Sequence, residues 1–191
     1  GCCLGLVGES GSGKSLTALA ILQLLPSSAR VGAQSRLLFN NQDLLTVSER
    51  AMRQVRGRRI AMIFQDAMTA FNPVYTIGQQ LLEVIQVKPK KAKALRLLDE
   101  VGIKDSHRCY QSYPHQLSGG MLQRAMIAMA LATEPELLIA DEPTTAIDVT
   151  LQAQIIKLLK RIVAQRQMTL LFISHNLALI AQMADDVVVM Q

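Results

Sequence analysis

Gly8-Glu-Ser-Gly-Ser-Gly-Lys14-Ser15 is the stretch that decides the fold. It matches the pattern GxxxxGK[ST] at every fixed position. Glycines at this spacing let a backbone wrap a phosphate and aim its N–H groups inward. An apolar run, residues 2–7, precedes it and reads as a buried parallel strand. Residues 15–25 follow and read as a helix ended by Pro26. Strand, glycine loop, then helix is the context a phosphate loop needs, and the helix adds its positive end. On this reading Gly8, Glu9, Ser10, Gly11, Ser12, Gly13, Lys14, Ser15 and Leu16 cradle a nucleotide. Lys14 is placed to reach the β- and γ-phosphates, and Ser15 to hold Mg²⁺.

Leu137-Leu-Ile-Ala-Asp141-Glu142 supplies the second half of such a site. A buried strand delivers Asp141 to its C-terminal end, where open α/β sheets bind ligands. There its carboxylate can help hold Mg²⁺, and Glu142, one residue on, can orient or deprotonate an attacking water. His175 follows the apolar run 170–173 and has the same address, within reach of a γ-phosphate. Gln65 follows residues 60–64 in the same way, and its amide can bind Mg²⁺ and sense that phosphate. His107 and His115 lie in a different part of the chain and receive no chemistry.

The intervening segments divide by texture. Residues 36–39 read as a strand, with Asn40–Asn41 as a turn, since Asn tolerates positive φ. Thr46-Val-Ser-Glu49 fits a capping box opening a helix that Gly57 ends, and residues 59–64 read as a strand. Strand-like runs then vanish until residue 134. Residues 76–87 and 91–101 read as helices, and Leu117-Ser-Gly-Gly120 opens a long helix to about Ala132. Strand texture resumes at 137–140, 169–174 and 187–190, with helices at 151–166 and 177–184. The pattern predicts an α/β core, residues 1–65 and 136–191, with a helical subdomain, residues 66–135, inserted in it.

Composition agrees and narrows the class. The chain has 191 residues, half of them apolar and 18% charged, which is globular rather than disordered. Its net charge of +5 suits a polyanionic ligand. Its basic clusters, with which no aromatics interleave, read as solvated helix faces or as phosphate or partner contacts, and no nucleic-acid partner is expected. The three cysteines have no zinc or disulfide spacing. No apolar run reaches the ~18 residues of a spanning helix, so any membrane role passes through a partner. The first residues already read as core strand, and Gln191 follows an apolar run directly. The chain is therefore expected to be truncated at both ends.

Taken in order, the phosphate loop, Gln65, Leu117-Ser-Gly-Gly-Met-Leu-Gln123, Leu137–Asp141 with Glu142, Thr145-Ala-Ile-Asp148 and His175 resemble the ABC ATPases. The LSGG element separates that family from other phosphate-loop ATPases. The resemblance implies a P-loop NTPase (RecA-like) ABC ATPase core with a helical signature subdomain. It implies ATP and Mg²⁺ as cofactors, with Ser15, Gln65 and Asp141 at the metal and Glu142, His175 and Gln65 in catalysis. It also implies that Ser118, Gly119, Gly120 and Asp148 serve the nucleotide of a second ATPase subunit, identical or different. Transmembrane permease subunits would dock on the helical lobe, with a substrate-binding protein beyond them, at the cytoplasmic face of the cell membrane. In the family an aromatic from an earlier segment stacks on adenine, and no residue of this chain takes that role.

Phe71-Asn-Pro73, Tyr113-Pro-His-Gln-Leu-Ser-Gly-Gly-Met121 and Ala140-Asp-Glu-Pro-Thr-Thr145 are similar to the branch importing peptides or nickel. Leu122, where peptide members more often carry Arg, leans towards nickel or metal-chelate members. The alternative is an ABC-type ATPase of DNA repair, chromosomes or the ribosome. The first of these needs long coiled-coil arms, and residues 66–134 show no long heptad run.

Overall fold

The computed structural model describes residues 1–145 and 147–191. Ala146, inside the Thr145-to-Asp148 motif, lies outside the described residues. Strands β1 (Cys3–Gly8), β4 (Ile60–Ile63), β5 (Leu137–Asp141), β6 (Thr169–Ile173) and β7 (Asp186–Met190) form one parallel sheet of order β4-β5-β6-β1-β7. The registers set Leu6 beside Ile173, Asp141 beside Ile173, and Ile63 beside Ala140. Every C-terminal strand end therefore points to one edge of the sheet.

Both faces of β1, β4, β5 and β6 are covered, which is why these strands read as unbroken apolar runs, while the edge strand β7 is exposed. Alternate side chains go to opposite cores. Leu138, Ala140, Leu170 and Phe172 join one buried cluster with α8 (Val149–Arg166), α9 (Leu177–Met183) and the helical lobe. Ile139, Leu171 and Ile173 join the other, with Ala18 and Leu22 near α1 (Lys14–Ile21) and Met52 and Val55 of α2 (Glu49–Val55). Fully buried side chains such as Phe172, Ile60 and Ile63 each contribute roughly 1.5–3 kcal/mol through removal from water.

Between β4 and β5 the chain forms only helices: α3 (Ala67–Ala70), α4 (Ile77–Val84), α5 (Lys90–Glu100), α6 (Ser106–Gln111), a 3₁₀ turn (Pro114–Gln116) and α7 (Gly119–Leu131). Thr76 and Gln79 form a capping box at the start of α4. In α7, Leu122, Ala125, Ile127 and Leu131 are fully buried and tie the lobe to the core. Gln80 is buried too; its amide accepts from Asn72 N and donates to the Asn72 and Tyr75 carbonyls, pinning the loop before α4.

Several local expectations give way to turn geometry. Helix α1 stops at Ile21, not at Pro26. Gln23 takes φ +51°, its N–H donates to Ala20 O, and Leu24 N–H donates to Leu19 O. This is a Schellman ending without glycine. Arg56 Nε holds the Leu22 carbonyl, and Gln23 holds the Leu44 carbonyl, so tertiary contacts carry the strained residue. Helix α2 is capped by Ser48 rather than Thr46, whose hydroxyl instead donates to Asp43 O. The strand expected at 36–39 shortens to β2 (Leu38–Phe39), which pairs with β3 (Gln42–Asp43). Asn40 and Asn41, at φ +48° and +62°, make the hairpin turn expected of them. Helix α4 ends at Val84 and not at residue 87, and α3 and α6 were not foreseen.

Candidate active site

Four strand ends and one helix start converge on the ligand edge of the sheet. β1 delivers the phosphate loop, β4 delivers Gln65, β5 delivers Asp141 and Glu142, and β6 delivers His175. A cleft of about 470 Å³ is lined by Ser10, Gly11, Gly13, Lys14, Ser15, Leu16, Gln65, Glu142, Thr145 and His175. A larger hollow of about 1000 Å³ lies on the other flank of the loop, against Leu177, Val189 and Met190. Lys14, Ser15, Gln65 and Glu142 do not line it. The candidates Lys14, Ser15, Gln65 and Glu142 gather on the smaller cleft, whereas Gly8, Glu9 and Ser12 line the larger hollow and His175 lines both.

The loop has the shape a polyphosphate needs. Gly13, the N-cap of α1, has φ +94° and no side-chain cap, so the first N–H groups of the helix are left for a ligand. By contrast, α2, α4, α7, α8 and α9 each cap their first turn with a side chain. At Gly8 a Cβ would come within 2.3 Å of Met190 O, so the backbone passes too close for any side chain. Lys14 is buried, and its ammonium donates to Gly8 O at 2.9 Å and Glu9 O at 2.7 Å. The cation is thus held by the loop it serves.

Ser15 Oγ donates to Asp141 Oδ1 at 3.1 Å, two hard oxygens side by side in the first turn of α1 and at a strand end. With the Gln65 amide on the same cleft, they make an oxygen set suited to Mg²⁺, which takes few protein ligands and completes its shell with water and phosphate. Burial pushes the Asp141 carboxyl up, the Ser15 hydroxyl opposes this, and the Glu142 charge adds to it.

Glu142 is differently placed. Its Oε2 accepts from Thr145 Oγ1 at 2.7 Å, and its Oε1 lies 2.9 Å from His175 Nδ1. A carboxylate only accepts, so Nδ1 carries the proton in this contact. Burial raises the Glu142 carboxyl, but the bonds from Thr145 and His175 outweigh it and hold the group below its ordinary value. The two adjacent carboxyls are therefore shifted in opposite directions. Their partners differ as well: Asp141 faces the Ser15 hydroxyl, whereas Glu142 faces Thr145 and His175.

The structure does not bring every candidate residue into this cleft. Ser118, Gly119, Gly120 and Asp148 are not among its lining. Ser118 Oγ accepts from Met121 N at the start of α7, and Asp148 Oδ1 accepts from Leu151 N at the start of α8. These two helix starts abut, because a Cβ on Gly120 would lie 2.1 Å from the Leu151 side chain. Gly119 faces open space. Thr145, by contrast, lines the cleft without having been singled out for it. Its signal was a hydroxyl three residues after Glu142, the spacing of a closed turn.

Residues 1–145 match the family model of the ABC transporter, and the chain belongs to that family. Over 98% of its length it is 53% identical to the dipeptide transport ATP-binding protein DppD of Haemophilus influenzae and 52% identical to DppD of Escherichia coli. It is 51% identical, again over 98% of its length, to the probable peptide ABC transporter ATP-binding protein y4tR of Sinorhizobium fredii. The chain spans 58–59% of the length of these relatives. Its fold is that of an ATP-binding cassette solved as a dimer in a post-hydrolysis state with ADP and Pi, at a TM-score of 0.84 and 24% identity, covering 100% of this chain and 81% of that one.

Proposed function

We propose that this chain is the ATP-hydrolysing motor of an ABC-type importer and works as half of a nucleotide-sandwiching dimer. The observation that carries the reading is the division of labour between Asp141 and Glu142. One is paired with the loop serine, the other with His175 and Thr145, on a single cleft. ATP supplies the phosphoryl group, and Mg²⁺ neutralises its charge when bound. Residues 8–16 would wrap the phosphates with Lys14 as their counter-charge, and Ser15, Asp141 and Gln65 would hold the metal. Glu142 orients the water and takes its proton while His175 steadies the γ-phosphate side.

Ser118, Gly119, Gly120 and Asp148 would close the site of a second ATPase subunit. The reading divides the chain into a core of residues 1–65 and 136–191 and a signature subdomain of residues 66–135. Among the described residues no helix is long and apolar enough to cross a membrane. The motor would therefore reach the cytoplasmic face of the membrane through permease subunits, served in turn by a substrate-binding protein. Relatives named for dipeptides and peptides, at 51–53% identity, favour a peptide cargo over the metal chelate towards which Leu122 leans. A chromosome or repair role fits less well, because the longest helix of the lobe, α7, has 13 residues and cannot form an arm.

The test is Mg²⁺-dependent ATP binding by calorimetry on the full-length protein and on K14A. Loss of one buried charge-assisted contact, worth up to ~3 kcal/mol, should weaken binding by up to about 100-fold. Equal affinity in the two forms would remove the assignment.

A further inference from the structure

Glu142 sits in a turn that closes on itself twice. The Thr145 N–H donates to the Glu142 carbonyl at 3.2 Å, and the Thr145 hydroxyl donates to Glu142 Oε2 at 2.7 Å. The other carboxylate oxygen, Oε1, faces His175. At Glu142 the backbone has φ +44°, a region that residues other than glycine rarely enter. Surrounding bonds must hold it there. The Glu142 N–H on the Ile173 carbonyl, at 3.0 Å, supplies one, and Thr145 supplies the other two.

We propose that Thr145 is a positioning residue for hydrolysis, whose hydroxyl pins Glu142 Oε2 and so leaves Oε1 as the oxygen that meets the attacking water. The role rests on the reading of Glu142 as the base. A carboxylate tethered only by His175 swings about its last torsion once that ring moves; the Thr145 hydroxyl keeps Oε2 fixed from within the same turn. His175 comes from a different strand and is exposed, so it is the partner that moves when a γ-phosphate arrives. Thr145 belongs to the same turn as Glu142 and stays. Orientation of this kind governs rate rather than affinity, because the carboxylate is aimed at the water and not at the nucleotide.

The test compares T145V, which keeps the shape and loses the donor, with T145S, which keeps the donor. Steady-state ATP hydrolysis is measured on the full-length protein, beside E142Q and the unfolding midpoint of each form. Loss of one hydrogen bond to a charged group predicts a kcat about tenfold lower in T145V. The KM for ATP should stay unchanged, and T145S should keep the parent kcat. If E142Q is inactive and T145V turns over at the parent rate, the positioning role is wrong while the reading of Glu142 stands. If T145S loses as much as T145V, or the loss falls on KM, the hydroxyl is not acting on the water and the role is equally wrong. If E142Q itself hydrolyses ATP normally, the reading of Glu142 falls and takes this role with it.

Discussion

Two helix starts in this molecule are built from serine and glycine, and they are finished in opposite ways. Helix α1 begins after Gly13 with no side-chain cap; Lys14, Glu142 and His175 line the cleft around it, and Asp141 is bonded to Ser15. Helix α7 begins after Ser118, which caps it, and none of those groups stands beside it in the cleft lining. The first start carries its chemistry within the chain. The second offers an exposed serine and an open glycine beside the Asp148 start of α8, outside the lining of that cleft. A surface of that kind makes sense when another molecule brings the phosphate. On the proposed reading, the contrast separates residues that act in cis from residues that would act only across an interface.

The largest effect that sharpens this contrast belongs to the cis site. E142Q should keep ATP affinity and lose about 10²–10⁴-fold in kcat, the usual contribution of a general base. Calorimetry and phosphate release on one preparation check both halves. Weakened binding in step with lost turnover would instead make Glu142 a ligand of the metal or nucleotide.

Smaller effects separate the two glycines of the second start. Gly120 is packed for the fold: an added Cβ meets Leu151 at 2.1 Å. Gly120→Ala should cost about 1–2 kcal/mol of stability, overpacking offset in part by alanine's helix propensity. Gly119 has nothing within 4 Å of an added Cβ. Gly119→Trp should leave the urea midpoint of the isolated subunit and its ATP affinity unchanged, and abolish ATP-dependent pairing. If Gly119→Trp unfolds the subunit, the face is structural and the comparison fails.

Much of this site was legible in the sequence because its signals are local. The phosphate loop needs only its glycines, Lys14 and Ser15, and the strands announce themselves by apolar runs, most of them buried, although Val187, Val188 and Val189 of the edge strand β7 are exposed. The opening of α7 at Leu117-Ser-Gly-Gly120 was legible as well, and its cap is Ser118. What escaped depends on contacts distant in sequence or on turns. The end of α1 at Gln23 is held by Arg56 and the Leu44 carbonyl, neither of which a window around Pro26 contains. Thr46 and Ser48 compete to cap α2, and the Asp43 carbonyl takes Thr46 out of the contest. Thr145 was passed over because its role comes from the fold of one turn, in which a hydroxyl returns to the carboxylate three residues earlier.

The central claim is that the cleft above the phosphate loop is completed by a second subunit through the face at Ser118–Gly120. Light-scattering mass of full-length E142Q, with and without saturating Mg-ATP, tests it most directly. The expected result is a monomer without nucleotide and a stable dimer with it, while the parent protein returns to monomer as it hydrolyses its ATP. An E142Q protein that binds ATP and stays monomeric at saturation would contradict the account.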